Sequence, residues 1–166
     1  MARQGEQGSQ QLFLVLAVAE KVAALLSHTR ERLFPSGEAI DAGWVKRAAD
    51  NPDLSERLEA FTGRFGRLQD RVMDKLIPRL LAQVGESVGS AIDNLNRADR
   101  LGLVDAPDDW VSMRQLRNRL VHEYMDNAEE FAAVLREAIQ LTGHLIDTVS
   151  RARKFSVTRF GTKGID

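Results

Sequence analysis

Residues 54–72 read LSERLEAFTGRFGRLQDRV, and this stretch shows the strongest hydrophobic periodicity in the chain. Its apolar residues follow one another in alternating steps of four and three: Leu54, Leu58, Phe61, Phe65, Leu68 and Val72. Because an α-helix has about 3.6 residues per turn, these steps place the six side chains on one face. Such a face is typical of a helix that packs against other helices, so the stretch predicts a helical core and not a cofactor site.

The two ends of this helix carry their own signals. Pro52 suits the first turn of a helix and Asp53 suits a capping position, so we expect the helix to begin here. Pro78 has no backbone N–H to donate, and it predicts a bend near the other end of the same helix.

Helical patterns also precede this stretch. The polar leader, residues 1–9, is expected to be disordered. A first helix is predicted from Gln10 to Phe34, where a Pro-Ser-Gly sequence closes it. Residues 40–50, IDAGWVKRAAD, suit a short helix.

Three further helices are predicted after the central one. Their apolar residues are, in order, Val88, Ile92 and Leu95; Trp110, Met113, Leu116 and Leu120; and Phe131, Leu135, Ala138, Leu145 and Val149. The first of these helices ends near Gly102, and the last runs from about Ala128 to Lys154. No segment alternates with a period of two for long enough to form a sheet. The sequence therefore predicts an all-α, antiparallel bundle of four to five helices in a single domain, residues 10–154.

Composition excludes several classes of function. The 166 residues suit one domain, and the absence of cysteine excludes disulfides, thiolate nucleophiles and cysteine-ligated zinc. A reducing, cytoplasmic location is expected. The N-terminal run LFLVLAVAEKVAALL is interrupted by Glu20 and Lys21, so we expect neither a membrane-spanning helix nor a signal peptide.

The charge balance limits how the chain can bind nucleic acid. It has 23 Lys and Arg against 24 Asp and Glu, with a net charge of -1, so any contact with RNA has to be local. The last residues, 155–166, form a basic tail that contains Phe155 and Phe160. Such a tail can bind single-stranded RNA by charge and stacking, or it can be a solvated end whose phenylalanines dock on the protein.

Residues 117–124, RNRLVHEY, hold one of three histidines and the single tyrosine of the chain. On a helix, Arg114, Asn118 and His122 step by four and share one row, while Arg117 and Tyr124 share the neighbouring row. Asn118 is then placed to hydrogen-bond the imidazole of His122 and fix its tautomer.

This combination suits one reaction that needs neither a metal nor another cofactor. A histidine can remove the proton from an RNA 2'-hydroxyl while an arginine stabilises charge on the pentavalent phosphorus. The products would end in a 2',3'-cyclic phosphate. One imidazole cannot be base and acid in the same step, which favours a homodimer that brings two motifs to one cleft.

Two other interpretations of the motif remain. A metal hydrolase is disfavoured because His28, His122 and His144 lie far apart and none belongs to a His-Glu-x-x-His frame. A structural role is the stronger alternative, since cations near a helix C-terminus interact well with its dipole. Arg117 would then pair with Glu123 or Asp126, and Tyr124 would lie in the core.

The motif also resembles a known family. LRNRLVHEY is similar to the arginine, four residues, histidine, one residue, tyrosine motif of HEPN-domain toxins, in particular the HepT-like family whose partners are minimal nucleotidyltransferases of the MntA type. RLQDRVMDKLIPRLL, IDNLNRADRLGLV and DDWVSMRQLRNRLVHEY resemble successive helices of that family, so the likeness runs from about Asp53 to Leu145.

The resemblance implies a homodimeric bundle with the motif at its interface, acting as the toxin of a type VII-like toxin–antitoxin pair that cleaves RNA without metal. Arg117 and His122 take the catalytic positions, Asn118 the adjacent polar position, and Tyr124 the tyrosine to which the nucleotidyltransferase antitoxin transfers AMP. Arg114 is a further candidate for contact with RNA phosphate. The alternative is a non-catalytic HEPN subunit that binds a nucleotidyltransferase or its nucleotide.

Two acidic residues of the central helix are also considered for this site. Asp70 and Asp74 are expected to lie on a solvated helix face, and the alternatives are that they line the same cleft or pair with Arg117.

Overall fold

A computed structural model of the protein describes residues 2–122 and 127–161, with side chains from residue 4 to residue 120 and from residue 127 onward. These residues form helices and no strand, so the all-α prediction is confirmed. The helices are α1 (Ala2–Leu33), α2 (Ala42–Asp50), α3 (Pro52–Arg71), a π-helical turn (Val72–Leu76), α4 (Ile77–Gln83), α5 (Ala91–Arg100), α6 (Pro107–His122) and α7 (Ala128–Phe160).

The long helices run antiparallel to their neighbours. Arg64 of α3 bonds Thr29 near the end of α1, whereas Arg79 of α4 donates to Gln11 near its beginning, 2.8 Å away. The ion pair between Glu20 and Arg153 places the middle of α1 beside the second half of α7. Helix α1 therefore lies between α3 and α7 and runs opposite to both.

The central stripe forms the middle of the core, as predicted. Leu58, Phe61, Phe65, Leu68 and Val72 are buried, and Leu54 is partly buried at the end of the row. The predicted apolar residues of α6 and α7 are buried as well. Burial of a large apolar side chain stabilises a fold by about 1.5–3 kcal/mol, so these faces are sufficient reason for the helices to pack together.

The sequence predicts a bend near Pro78, and the backbone just before this residue forms a wider helical turn. The N–H of Ile77 donates to the carbonyl of Val72, five residues earlier, instead of to the residue four earlier. Proline cannot donate a backbone hydrogen bond and its ring crowds the carbonyl of the preceding turn. The π turn just before Pro78 allows the helix to continue into α4 without that contact.

The N-terminal boundary differs from the prediction. Helix α1 begins at Ala2, so residues 2–9, expected to be disordered, form its first turns. The side chain of Gln83 donates to the Gly5 carbonyl at 3.2 Å and to the Ser9 hydroxyl at 3.0 Å. Gly8 allows this approach, because a Cβ there would collide with the Gln83 amide. Contacts with α4 therefore order a segment that its own composition does not.

Two boundaries further along the chain are also corrected. Helix α7 continues past Lys154 to Phe160, so the predicted tail is helical through Phe160. Of the three apolar residues that predicted the next helix, only Leu95 is buried, whereas Val88 and Ile92 are 50% and 56% exposed.

The reason for the second correction is the start of α5. Ser90 caps the helix and forms a capping box with Asp93, so Val88 lies outside it. Hydrogen bonds from Ser90 lower the pKa of Asp93. The carboxylate that closes the box is therefore the form that these bonds favour.

Helix α1 is notable for its length and apolar composition. The segment Gln4–Leu33 is long and apolar enough to cross a membrane by length and composition alone. The core helix of a soluble protein passes the same test. In the described fold, α1 packs against α3 and α7 and buries Leu12, Leu16 and Leu26.

Candidate functional site

Helix α6 carries the motif and has a clear inner and outer face. Trp110, Met113, Leu116 and Leu120 are buried against the bundle. The residues between them, including Asn118, are turned to the surface. The apolar row thus decides which side of α6 the polar residues of the motif occupy.

Arg117 is held by two residues of α3. Its Nη1 donates to Oδ1 of Asp70 at 3.0 Å, and the two side chains are 41% and 39% exposed. The Arg117 chain also lies across Gly66, where an added Cβ would be 2.9 Å from its Nε. A real Cβ does not approach a nitrogen so closely, so the absence of a side chain at position 66 makes room for Arg117.

Arg114 makes the matching contact one turn earlier in α6. Its Nη2 lies 2.7 Å from Oδ1 of Asp74, with both side chains about half exposed (47% and 50%). Because α6 runs antiparallel to α3 and the π turn, the two arginines meet the two aspartates in reverse order. Ion pairs this exposed contribute at most about 1 kcal/mol each, so they fix side-chain positions more than they stabilise the fold.

These contacts correct the expectation for Asp70 and Asp74. Both carboxylates are partly exposed to solvent, but each accepts a hydrogen bond from an arginine of α6. The alternative, pairing of Asp70 with Arg117, is what the structure has. Glu123 and Asp126, the acidic partners considered for Arg117 from sequence, lie outside the described residues.

The remaining motif residues are placed to different extents. Asn118 is exposed on α6. The helical backbone continues through His122, which keeps Arg114, Asn118 and His122 in one row along the helix. The side chain of His122 and all of Tyr124 lie outside the described residues, so their contacts remain predictions.

The approach to α6 is tied to α7. Arg151 binds Asp105, in the loop before α6, at 2.8 Å and Asp147 of its own helix at 2.8 Å. The hydrogen bond from Arg151 lowers the pKa of Asp105, and the pKa of Arg151 is raised in return. This ion-pair group connects the start of the motif helix to the longest helix of the bundle.

Gly66 is the residue of the site that sequence reasoning missed. A glycine inside a strongly periodic helix costs about 1 kcal/mol relative to alanine, which is a signal that something passes close to the backbone. The signal does not say what passes. Only the packing of α6 on α3 identifies Arg117.

No family model, no curated protein and no solved structure matches the chain. Among the residues that the structure describes, no group of three or more His, Asp or Glu side chains could hold a metal ion.

Proposed function

We propose that this chain is a metal-independent endoribonuclease of the HEPN type, the toxin of a toxin–antitoxin pair. The observation that supports the proposal is the position of Arg117. It is held at the surface of α6 by Asp70 and Gly66, on the same helix as Asn118 and His122. Cleavage by a 2'-hydroxyl requires a fixed cation near the general base, and here a guanidinium is fixed on the helix that carries His122.

The reaction needs a base that removes a proton from the attacking oxygen and an acid that donates a proton to the leaving oxygen. His122 removes the proton from the 2'-hydroxyl, whose oxygen then forms a bond to phosphorus. Arg117 and Arg114 stabilise the charge on the phosphoryl oxygens. The bond from phosphorus to the 5'-oxygen breaks, and that oxygen takes a proton from a second acid. A homodimer supplies this acid as the His122 of the other copy.

Asp70 has a positioning role in this mechanism. Arg117 donates to it through Nη1, and a guanidinium has five N–H donors, so Arg117 can hold Asp70 and a phosphate together. Because the pair is partly exposed, approach of RNA to Arg117 does not require a buried charge to be uncovered.

Regulation follows from the tyrosine two residues after His122. AMP transferred from ATP to the Tyr124 hydroxyl, with release of pyrophosphate, adds bulk and negative charge beside a site for RNA phosphate. A minimal nucleotidyltransferase of the MntA type is the proposed partner. The enzyme is expected to work in the cytoplasm.

A non-catalytic subunit is the second candidate, and one observation favours it. Arg114 and Arg117 are both paired with aspartates, an arrangement that can serve simply to hold α6 on the bundle. The two candidates differ in whether the purified chain cleaves RNA.

Cleavage by the purified protein is expected to continue in EDTA and to fail on a matched substrate with a 2'-deoxy group at the cleavage site. The deoxy substrate lacks the nucleophile, whereas a water nucleophile would not need the 2'-hydroxyl. Product formation is measured by gel electrophoresis. Activity that is lost in EDTA and restored by zinc or magnesium would contradict the proposed mechanism.

Gly66→Ala is expected to lower RNA cleavage by about a hundredfold, because the new Cβ displaces Arg117 and small misplacements of catalytic groups have effects of this size. Helical content, measured by circular dichroism, should stay unchanged. Gly63→Ala is the matched control: its Cβ would be 3.7 Å from the nearest Arg67 nitrogen, an ordinary contact, and activity should be kept. Equal activity of the two variants would remove Arg117 positioning from the account.

A further inference from the structure

The cations of α3 and the π turn fall on one row. Arg57, Arg64, Arg67, Arg71 and Lys75 follow in steps of seven, three, four and four, which keeps them within an arc of about 80° on an ideal helix. The row extends for 18 residues, or about 27 Å along the axis. We call these five residues the cationic row.

The cationic row lines two successive cavities between α3 and α1, which we together call the groove. Arg57 and Arg64 line a cavity of about 340 Å³, whose opposite wall includes His28, Thr29 and Arg32 of α1. Arg67, Arg71 and Lys75 line a second cavity of about 270 Å³, together with Val22, Asp70 and Asp74. The row is therefore part of a concave surface and not of a flat helix face.

The cations of this groove are not paired with acidic residues in the described part of the chain. None of the five cations forms an ion pair with a described residue, whereas Arg114, Arg117, Arg151 and Arg153 all do. Glu56 lines the first cavity but makes no salt bridge with its arginines. In a chain of net charge -1, such a concentration of unpaired cations creates a local positive potential that attracts an anionic ligand.

One cation is also held in place before any ligand arrives. Arg64 donates through Nη1 to the Leu25 carbonyl at 3.2 Å and to the Thr29 hydroxyl of α1. Its remaining guanidinium donors are left for an anion in the groove. At the other end, Asp70 lines the second cavity and binds Arg117, so one residue connects the groove with the candidate catalytic arginine.

We propose that the cationic row binds the phosphate backbone of single-stranded RNA and leads the strand to Arg117. This inference rests on the proposed function for its substrate class. A length of about 27 Å suits a site of at least four nucleotides, within the range of known single-strand grooves. The contacts are to phosphates, so the row contributes affinity without sequence preference.

The test uses the full-length protein and a 12-nucleotide RNA with 2'-O-methyl groups throughout, which cannot be cleaved by 2'-hydroxyl attack. The variant Arg57→Gln/Arg67→Gln removes two cations of the row, and the described fold does not depend on hydrogen bonds from either side chain. The slope of log K against log salt concentration should become less steep by about 1.4, since each phosphate contact on a single strand contributes about 0.7. Lys46→Gln/Arg100→Gln, two exposed cations on α2 and α5, is the matched control and should keep the parental slope.

A second arm separates this inference from the proposed function. A dinucleotide with one phosphodiester reaches only the Arg117 site, so Arg57→Gln/Arg67→Gln should cleave it at the parental rate. The same variant should cleave a 12-nucleotide RNA with a raised KM. An unchanged salt slope, or the same change in the control variant, overturns the cationic row as an RNA site. If the salt slopes of the parent and the variant differ as predicted on the methylated RNA, but the parent cleaves no RNA, the proposed nuclease fails while this inference stands.

Discussion

Replacement of His122 by alanine is expected to reduce RNA cleavage by a factor of about 10²–10⁴, the range that a general base contributes. Arg117→Ala should have a comparable effect, because charge on the pentavalent phosphorus then loses its nearest fixed cation. The measurement is the initial rate of cleavage of one labelled RNA by each purified variant. His144→Ala is the matched control, since this exposed histidine lies on α7, outside the motif.

The same variants have a cellular outcome. Expression of the parent chain alone should slow the growth of a bacterial host, and His122→Ala or Arg117→Ala should relieve this effect while circular dichroism and the oligomeric state are unchanged. If both variants are as active and as toxic as the parent, the catalytic assignment of the motif fails. If both variants are inactive because they are unfolded, Gly66→Ala decides the question instead, since it keeps both side chains in the protein.

Modification of Tyr124 is expected to silence the enzyme. Co-expression with the cognate nucleotidyltransferase should add one or more AMP units to the chain, mapped by mass spectrometry to the peptide that contains LVHEYMDNAEEF. In the proposed site, each AMP adds a phosphate that competes with RNA phosphate for the guanidinium of Arg117. The modified protein should therefore lose nearly all of the cleavage rate of the unmodified protein.

Tyr124→Phe separates regulation from chemistry. The phenol is not the base of the proposed mechanism, so the variant should cleave RNA at a rate close to the parent and should gain no mass in the presence of the nucleotidyltransferase. Transfer of AMP to a serine or threonine, or full activity of the modified parent, would break the connection between Tyr124 and regulation.

The helical core could be predicted because its signal is local. The row from Leu58 to Val72 repeats with the period of a helix, and every member of it is buried. Pro78 likewise predicted a bend, and the π turn before it accommodates the missing backbone donor. In both cases the physical cause lies within a few residues of the effect.

Features that depend on the packing of distant segments were not predictable in the same way. Residues 2–9 look polar and flexible, but Gln83 of α4 bonds to two of them. Ile92 fits a helical pattern, yet its side of α5 faces solvent because no other helix covers it in the described fold. The periodicity of a segment says that one face is apolar, and not whether a neighbour is present to bury it.

The candidate site shows the same division. The row of Arg114, Asn118 and His122 follows from helix geometry, and α6 is helical over these positions. The partners Asp70 and Gly66 are 47 and 51 residues from Arg117 in sequence, and only the antiparallel packing of α3 and α6 brings them to it. A solvated helix face was the simpler expectation for Asp70 because nothing near it in the chain pointed to α6.

The identity of the RNA ends after cleavage tests the central claim most directly. The purified protein is incubated with a defined RNA oligonucleotide in EDTA, and the products are analysed by mass spectrometry. Attack by the 2'-hydroxyl predicts a 5' fragment that ends in a 2',3'-cyclic phosphate, or in the 3'-phosphate formed by its hydrolysis, and a 3' fragment with a free 5'-hydroxyl. Fragments with a 3'-hydroxyl and a 5'-phosphate would contradict the account, because they require water as the nucleophile.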